Sequence, residues 1–382
     1  MPGLRPDVDP DGLLEYSVVY TDRALNHMSK KFQHVMRDVS ATLKEVYGAR
    51  SAVVVPGSGS FGMEAVARQF ATGQRCLVIR NGWFSYRWSQ IFEMGQIPSE
   101  TTVLKARRTH DGAQSPFAPP PLSEVLAAIR AQRPGVVFAP HVETSAGMML
   151  PDDYLRAVAD AAHEVGGLFV LDSIASGAAW VDLRATGVDV LVSAPQKGWS
   201  GPPCAGLVVL SELARERIDA TTSTSFSCDL KKWLQIMEAY EGGGHAYHAT
   251  LPTDGLTALR DVMNEMRAFG FQAARDAQLE LGRRARALLG ERGLRSVAAA
   301  GFEAPGVVVC YTDDPSWANG SAFAAQGLQI AAGVPLAVDE GPDFRSFRIG
   351  LFGLDKLKDV DGAVKRLRRA LDVLRPVASA AA

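Results

Sequence analysis

The stretch VLVSAPQKGWSGPPC, residues 190–204, decides how the chain is read. Its first five residues are apolar or small and do not alternate with polar ones. That is the pattern of a strand buried on both faces. The run then reaches a single cation, Lys197, and Gly198, Gly201, Pro202 and Pro203 disfavour a helix after it. Taken alone, the run fits a strand tip with a solvated lysine. It also fits a lysine held in a pocket for amine chemistry. The rest of the chain separates the two readings.

The same texture recurs upstream. SAVVV (51–55), RCLVI (75–79), GVVFA (135–139), GLFVLD (167–172) and VDVLVSA (188–194) are short β-branched runs. Helical patterns lie between them, among them FGMEAVARQFA (61–71) and PDDYLRAVADAAHEV (151–165). Strand–helix–strand repetition predicts an α/β fold with a parallel sheet and right-handed crossovers. Ligands of such sheets sit at the carboxyl ends of the strands. Past residue 255 the texture changes. A helix-period segment (255–293) leads to strand-like GVVVCYT (306–312), LQIAAGVPLA (328–337) and SFRIGLFG (346–353), and the helical 354–374 closes a smaller α/β domain. An Ala-rich tail (377–382) follows.

Composition narrows the function classes. The 382 residues are 47% hydrophobic and 21% charged, with a formal net charge of −2. This is a globular profile that gives nucleic acid or an acidic membrane no electrostatic hold. No apolar run approaches the ~18 residues of a membrane span. The N-terminal MPGLRPDVDPDGLLEY lacks the basic and apolar regions of a signal peptide. Cys76, Cys204, Cys228 and Cys310 are far apart and form no CxxC pair, so neither a disulfide scaffold nor a metal site is expected. A cytoplasmic setting is the expectation.

Chemistry-bearing residues follow the strands. After SAVVV comes PGSGSFGMEA (56–65), where Gly57 and Gly59 free the backbone and a helix begins at Ser58–Ser60. Free N–H groups there suit a phosphate. After RCLVI comes RNGWFSYRW (80–88), with Trp83, Phe84 and Tyr86 in what reads as a loop. They suit either a flat ligand or core packing. After GVVFAP comes HVETSAG (141–147), whose His141 and Glu143 read more readily as structural groups than as catalysts. Asp172 ends an apolar strand and needs a partner. It either caps the next turn through Ser173 or faces a protonated ring nitrogen. Lys197 lies 25 residues further on. In a partly buried pocket it becomes a usable nucleophile. A phosphate cradle, an aromatic plate, an acid and a lysine at one sheet edge are together what pyridoxal phosphate requires.

The ordered motifs GSGSFGMEA, NGWFSYR, HVETSAG, VLDSIAS, SAPQKGWSGPP, YHATLP and FRIGLFG run from about residue 28 to about residue 374. By them the chain resembles the fold-type I pyridoxal-phosphate enzymes of the class V aminotransferase group, and most of all its alanine–glyoxylate and serine–glyoxylate members. The resemblance implies a large domain (28–255) with a mostly parallel seven-stranded sheet and a small C-terminal α/β domain (256–382), with an N-terminal segment (1–27) near the active site. It implies transfer of an amino group from a small amino acid, such as serine or alanine, to a 2-oxo acid such as glyoxylate or pyruvate. Carried over by position, Lys197 holds the cofactor as a Schiff base and Asp172 pairs with its ring nitrogen. Ser58, Gly59 and Ser60 form the phosphate turn, although many relatives have His at the position of Ser60. Phe84 is the stacking aromatic, Thr144 or Ser145 contacts the cofactor, and Gln196 is a phosphate-side ligand. Tyr247 and Thr250 reach the phosphate of the other subunit of a homodimer.

Arg348 matches the arginine that grips the substrate carboxylate. A guanidinium fork suits that task, and within an apolar strand an unpaired cation is costly, which favours Arg348 over Arg345. The N-terminus departs from the family's GPGP-like turn, and Tyr16, Tyr20 and Arg23 stand as substrate-side replacements. The rival within the family is a lyase or cysteine desulfurase, which carries His before the lysine and a reactive loop cysteine. Here Gln196 precedes Lys197, Cys310 reads as a strand residue and Cys228 is the loop candidate. A non-enzymatic binding module is the other rival, and the joint presence of Lys197, Asp172 and Arg348 argues against it.

Overall fold

The structure, a computed structural model, describes residues 7–377. Most of the Ala-rich tail therefore lies outside the described residues. Seven strands form the main sheet: β1 (Ser51–Pro56), β2 (Arg75–Arg80), β3 (Glu100–Lys105), β4 (Val136–Pro140), β5 (Leu168–Asp172), β6 (Val190–Ser193) and β7 (Ala205–Leu210). Their spatial order is β1-β7-β6-β5-β4-β2-β3. β7 runs antiparallel to both its neighbours, β1 and β6, and the remaining pairs are parallel. Two reversals cancel, so β1 points the same way as β2, β4, β5 and β6. Their carboxyl ends share one edge of the sheet. All residues of β4, β5, β6 and β7 are buried, which is why these runs show no polar alternation.

Helices α1 (Lys30–Tyr47), α2 (Gly59–Val66), α3 (Trp83–Gly95) and α4 (Asp152–Glu164) belong to this layer. α2 approaches β7 so closely that a Cβ on Gly206 would stand 2.8 Å from the Gly62 Cα. The long segment after 255 is two helices, α5 (Thr253–Phe269) and α6 (Phe271–Gly290), broken where Gly270 takes φ +100°. Beyond them β8 (Val307–Tyr311), β9 (Ala331–Ala332) and β10 (Ser346–Gly350) form an antiparallel sheet in the order β8-β10-β9, and α7 (Val360–Leu374) follows.

The expected strand over 328–337 shrinks to the two exposed residues of β9. Gly333 turns its amide to Ala318, and Pro335 has none to offer a ladder. One core runs from Leu25 to Met263 around the main sheet, and a second gathers mainly residues from Met266 to Leu371. A third cluster bridges them, with Val142 and Met148 against Val309 and Leu336.

Candidate active site

Lys197 lies in the turn just past β6, and that turn is held on several sides. Trp199 is fully buried, its ring 4.8 Å from Trp180 and 6.2 Å from Tyr47. The Tyr47 hydroxyl donates to Ser193 Oγ (3.1 Å) at the strand's end. Leu354 N donates to Ser200 Oγ (2.9 Å), tying the lysine turn to the C-terminal part of the chain. The Lys197 Nζ stands 5.8 Å from the ring centres of both Phe84 and Phe352. Burial lowers its proton affinity, Asp172 and Glu143 oppose that, and Arg348 and Arg87 add to it.

Asp172, the last residue of β5, is buried, and its Oδ1 accepts from Ile174 N (2.9 Å). Burial pushes its carboxyl up to about 6, against the pull of the Ile174 N–H and of Lys197. This turn contact satisfies one oxygen only. The turn contact comes from Ile174 rather than from the expected Ser173.

Phe84 sits in the first turn of α3 rather than in a loop, which corrects the sequence reading. The cause is Glu143. Its buried carboxylate accepts from Phe84 N (3.2 Å), Ser85 N (2.9 Å), Ser85 Oγ (2.8 Å), Ser145 N (3.1 Å) and Ser145 Oγ (2.7 Å). An anion against the free N–H groups of a helix start fixes that start. Glu143 thus holds the aromatic plate without reaching the cleft. Of the two alternatives Thr144 and Ser145, Ser145 does not line the cleft. Its hydroxyl donates to Glu143 and accepts from Trp83 N (3.0 Å). Its neighbour Thr144 does line the cleft.

Ser58, Gly59, Ser60, Phe84, Thr144, Asp172, Gln196 and Lys197 line one cleft of about 110 Å³. Arg348, on β10, stands 5.5 Å over the Phe84 ring and donates through Nε to Ala332 O (2.8 Å). Among the described residues no acid forms an ion pair with it, and Arg345 is exposed. Sequence reasoning missed Arg87, which also lines the cleft, donates to Ser60 Oγ (3.0 Å) and stands 5.4 Å over Phe84. It is three residues past Phe84, hence on the same helix face. Reading that segment as a loop hid the spacing.

Four predicted residues are elsewhere. Tyr16 is 88% exposed, and Tyr20 donates to Leu251 O (3.1 Å) with its ring against His27. Tyr247 and Thr250 share a hydrogen bond (3.2 Å) on the surface, and Tyr247 packs on the same His27. None of the four lines the chain's own cleft.

Residues 13–335 match the family model of class-V aminotransferases. The chain belongs to that family. It is 27% identical over 358 residues to the alanine–glyoxylate aminotransferase of Oryctolagus cuniculus, covering 91% of this chain and 86% of the relative. It is 29% identical over 345 residues to 2-aminoethylphosphonate–pyruvate transaminase 2 of Paraburkholderia xenovorans (strain LB400), covering 87% and 86%. Among solved structures, an aspartate aminotransferase of Thermus thermophilus superposes with a TM-score of 0.74 at 26% identity, covering 91% of this chain and 93% of that one. An alanine–glyoxylate aminotransferase from Nostoc sp. also gives 0.74, at 22% identity and coverages of 90% and 88%. These are fold-type I enzymes, and the chain is a pyridoxal-phosphate-dependent class-V aminotransferase.

The residues present fit that cofactor. Ser58 caps α2 with no side-chain hydrogen bond, which leaves its hydroxyl and the helix start open to a phosphate. A Cβ on Gly59 would stand 2.5 Å from Ile174 Cδ1 and 3.2 Å from Ala194 Cβ, so a side chain there would have to displace Ile174. Among the described residues no helix is long and apolar enough to cross a membrane.

Proposed function

We propose that this class-V aminotransferase moves an amino group from a small amino acid, serine or alanine, to a 2-oxo acid such as glyoxylate or pyruvate, in two half-reactions at one site. The observation that carries this reading is the convergence of Lys197, Asp172 and the unpaired Arg348 around Phe84. The cofactor supplies an aldehyde that captures amines and a ring that draws electrons from the substrate's α-carbon. Ser58, Gly59, Ser60 and Gln196 would hold its phosphate, Phe84 and Thr144 would hold its ring, and Asp172 would keep its ring nitrogen protonated. Arg348 fixes the substrate by its carboxylate, which leaves the α-carbon facing Lys197. The lowered proton affinity of Lys197 makes its amine available both to hold the cofactor and to take up the proton of the α-carbon.

The active unit in this reading is a cytoplasmic homodimer. Tyr247 and Thr250 are surface groups of one subunit that complete the phosphate site of the other. Tyr20 packs with Tyr247 on His27, so in this reading the substrate role of Tyr20 and of the exposed Tyr16 falls on the neighbouring subunit's site. The chain divides into an N-terminal segment (1–27), a large domain (28–255) and a small domain (256–382), in keeping with the two main cores.

A desulfurase or related lyase reading has less support. Cys76, Cys228 and Cys310 are buried, Cys204 is half-buried, and none lines the cleft. Burial raises all four thiols, Cys204 to about 11. No reactive thiolate stands near Lys197.

The test is Lys197→Ala. We expect turnover of alanine or serine with glyoxylate or pyruvate to fall on the order of 10²–10⁴-fold, with the far-UV circular dichroism unchanged. Unchanged turnover would remove Lys197 from the chemistry.

A further inference from the structure

Three cations surround one aromatic ring. Arg87, Lys197 and Arg348 stand 5.4, 5.8 and 5.5 Å from Phe84; Arg87 and Lys197 line the cleft, and Asp172 is the one acid lining it with them. Glu143 lies behind the ring with its oxygens taken by five donors. Such a cleft calls for more than one anionic group from its ligands. Arg348 has been given the substrate carboxylate, and Lys197 is the reacting amine. Arg87 is left, half-buried, with no acid in ion-pair distance among the described residues. Its position is specific. Nη1 donates to Ser60 Oγ (3.0 Å), and Ser60 is in the first turn of α2 beside the open cap Ser58. The guanidinium is thus held at the helix start, where an anion already meets a favourable dipole.

We propose that Arg87 is a phosphate-binding cation of the site, kept on the phosphate side by Ser60 and by the Phe84 ring. In this arrangement Ser60 serves the phosphate partly as the rest for the arginine. The proposal rests on the cofactor assignment and gives a role to the last residue of NGWFSYR, which the sequence reading left unassigned.

The phosphate can be tested separately from the ring. The full-length protein, freed of cofactor, is titrated with pyridoxal 5′-phosphate and with pyridoxal, which lacks the phosphate, and binding is read from visible absorbance. Arg87→Met is expected to weaken the phosphorylated ligand about ten- to hundredfold while leaving pyridoxal within about twofold. Arg87→Lys, which keeps the charge but loses the fork, is expected to fall between. Equal weakening of both ligands would mean that Arg87 only packs Phe84, and would overturn the proposal. Unchanged affinities would overturn it too, as would intact cofactor binding with a raised KM for dicarboxylate substrates alone. Wild-type protein that takes up neither ligand would instead sink the cofactor assignment, and this proposal with it.

Discussion

Asp172 and His141 meet through the backbone, His141 N donating to Asp172 O (2.8 Å), and their side chains titrate in one window with opposite signs. Asp172 is raised by burial from 3.8 to about 6, so between those values the folded chain holds a proton that the unfolded chain has lost. Its contribution is present at low pH and is lost as pH rises through about 6. His141, bonded through Nδ1 to Ser176 Oγ (2.7 Å), is lowered from 6.5 to about 4 by burial and then by Arg275. Its contribution is present above 6.5 and is lost as pH falls towards 4. Each shift is about two units, or about 3 kcal/mol. The two slopes therefore nearly cancel. In cofactor-free protein, Asp172→Asn should leave stability rising by about 2 kcal/mol from pH 4 to 6, and His141→Asn should leave it falling by a similar amount. Urea unfolding at pH 4, 5 and 6 measures this, and parallel profiles in all three proteins would refute it. Lys197 and Asp172 were legible in the sequence because a charge at the end of an apolar run is conspicuous, and Arg348 because a charge inside one is. Ser145 and Arg87 were not, because whether a polar group faces a ligand or a neighbouring carboxylate depends on contacts across the chain.

The element that matters most to the chemistry is the turn after β6. A Cβ on Gly198 would stand 2.3 Å from the Gly177 carbonyl oxygen, a backbone atom that no rotamer change can move. Gly198→Ala should cost about 1–3 kcal/mol and displace the adjacent Lys197, weakening cofactor binding. Gly290→Ala, at the end of α6 with open space around it, is the matched control and should be neutral or mildly stabilising. Thermal unfolding of both variants decides it, and equal midpoints would show that the turn tolerates the methyl group. At this scale the buried parallel strands were readable from their apolar runs. β3 and β7 were not among the runs read as strands. β3 is half-exposed, and β7 hides behind the Gly–Pro turn that ends the lysine segment. The helical start of α3 was misread because its first turn is fixed largely by Glu143, 60 residues away in the chain, in addition to the local cap that Ser85 Oγ gives Asn81 N and Gly82 N.

At the scale of the whole molecule, the proposed homodimer makes the site a shared one. Lys197→Ala and a Tyr247→Ala/Thr250→Ala double variant should each be inactive or impaired alone. After co-refolding or subunit exchange, mixed dimers should regain activity that neither parent shows, because one of their two sites is then wholly native. Absence of any regain in a mixture shown to exchange subunits would place Tyr247 and Thr250 outside the neighbour's site. The order of residues in the chain was enough to set the α/β class and to point to the carboxyl edge of the sheet and to the lysine and acid that stand there. Those features follow from local periodicity and from the cost of burying charge. Folding alone decided that Glu143 and Ser145 brace the aromatic plate, that Arg87 joins the cleft, and that the tyrosines of the N-terminal segment turn away from the chain's own site. These outcomes depend on which distant backbone amides and hydroxyls meet a given side chain, and no periodicity in the sequence records that.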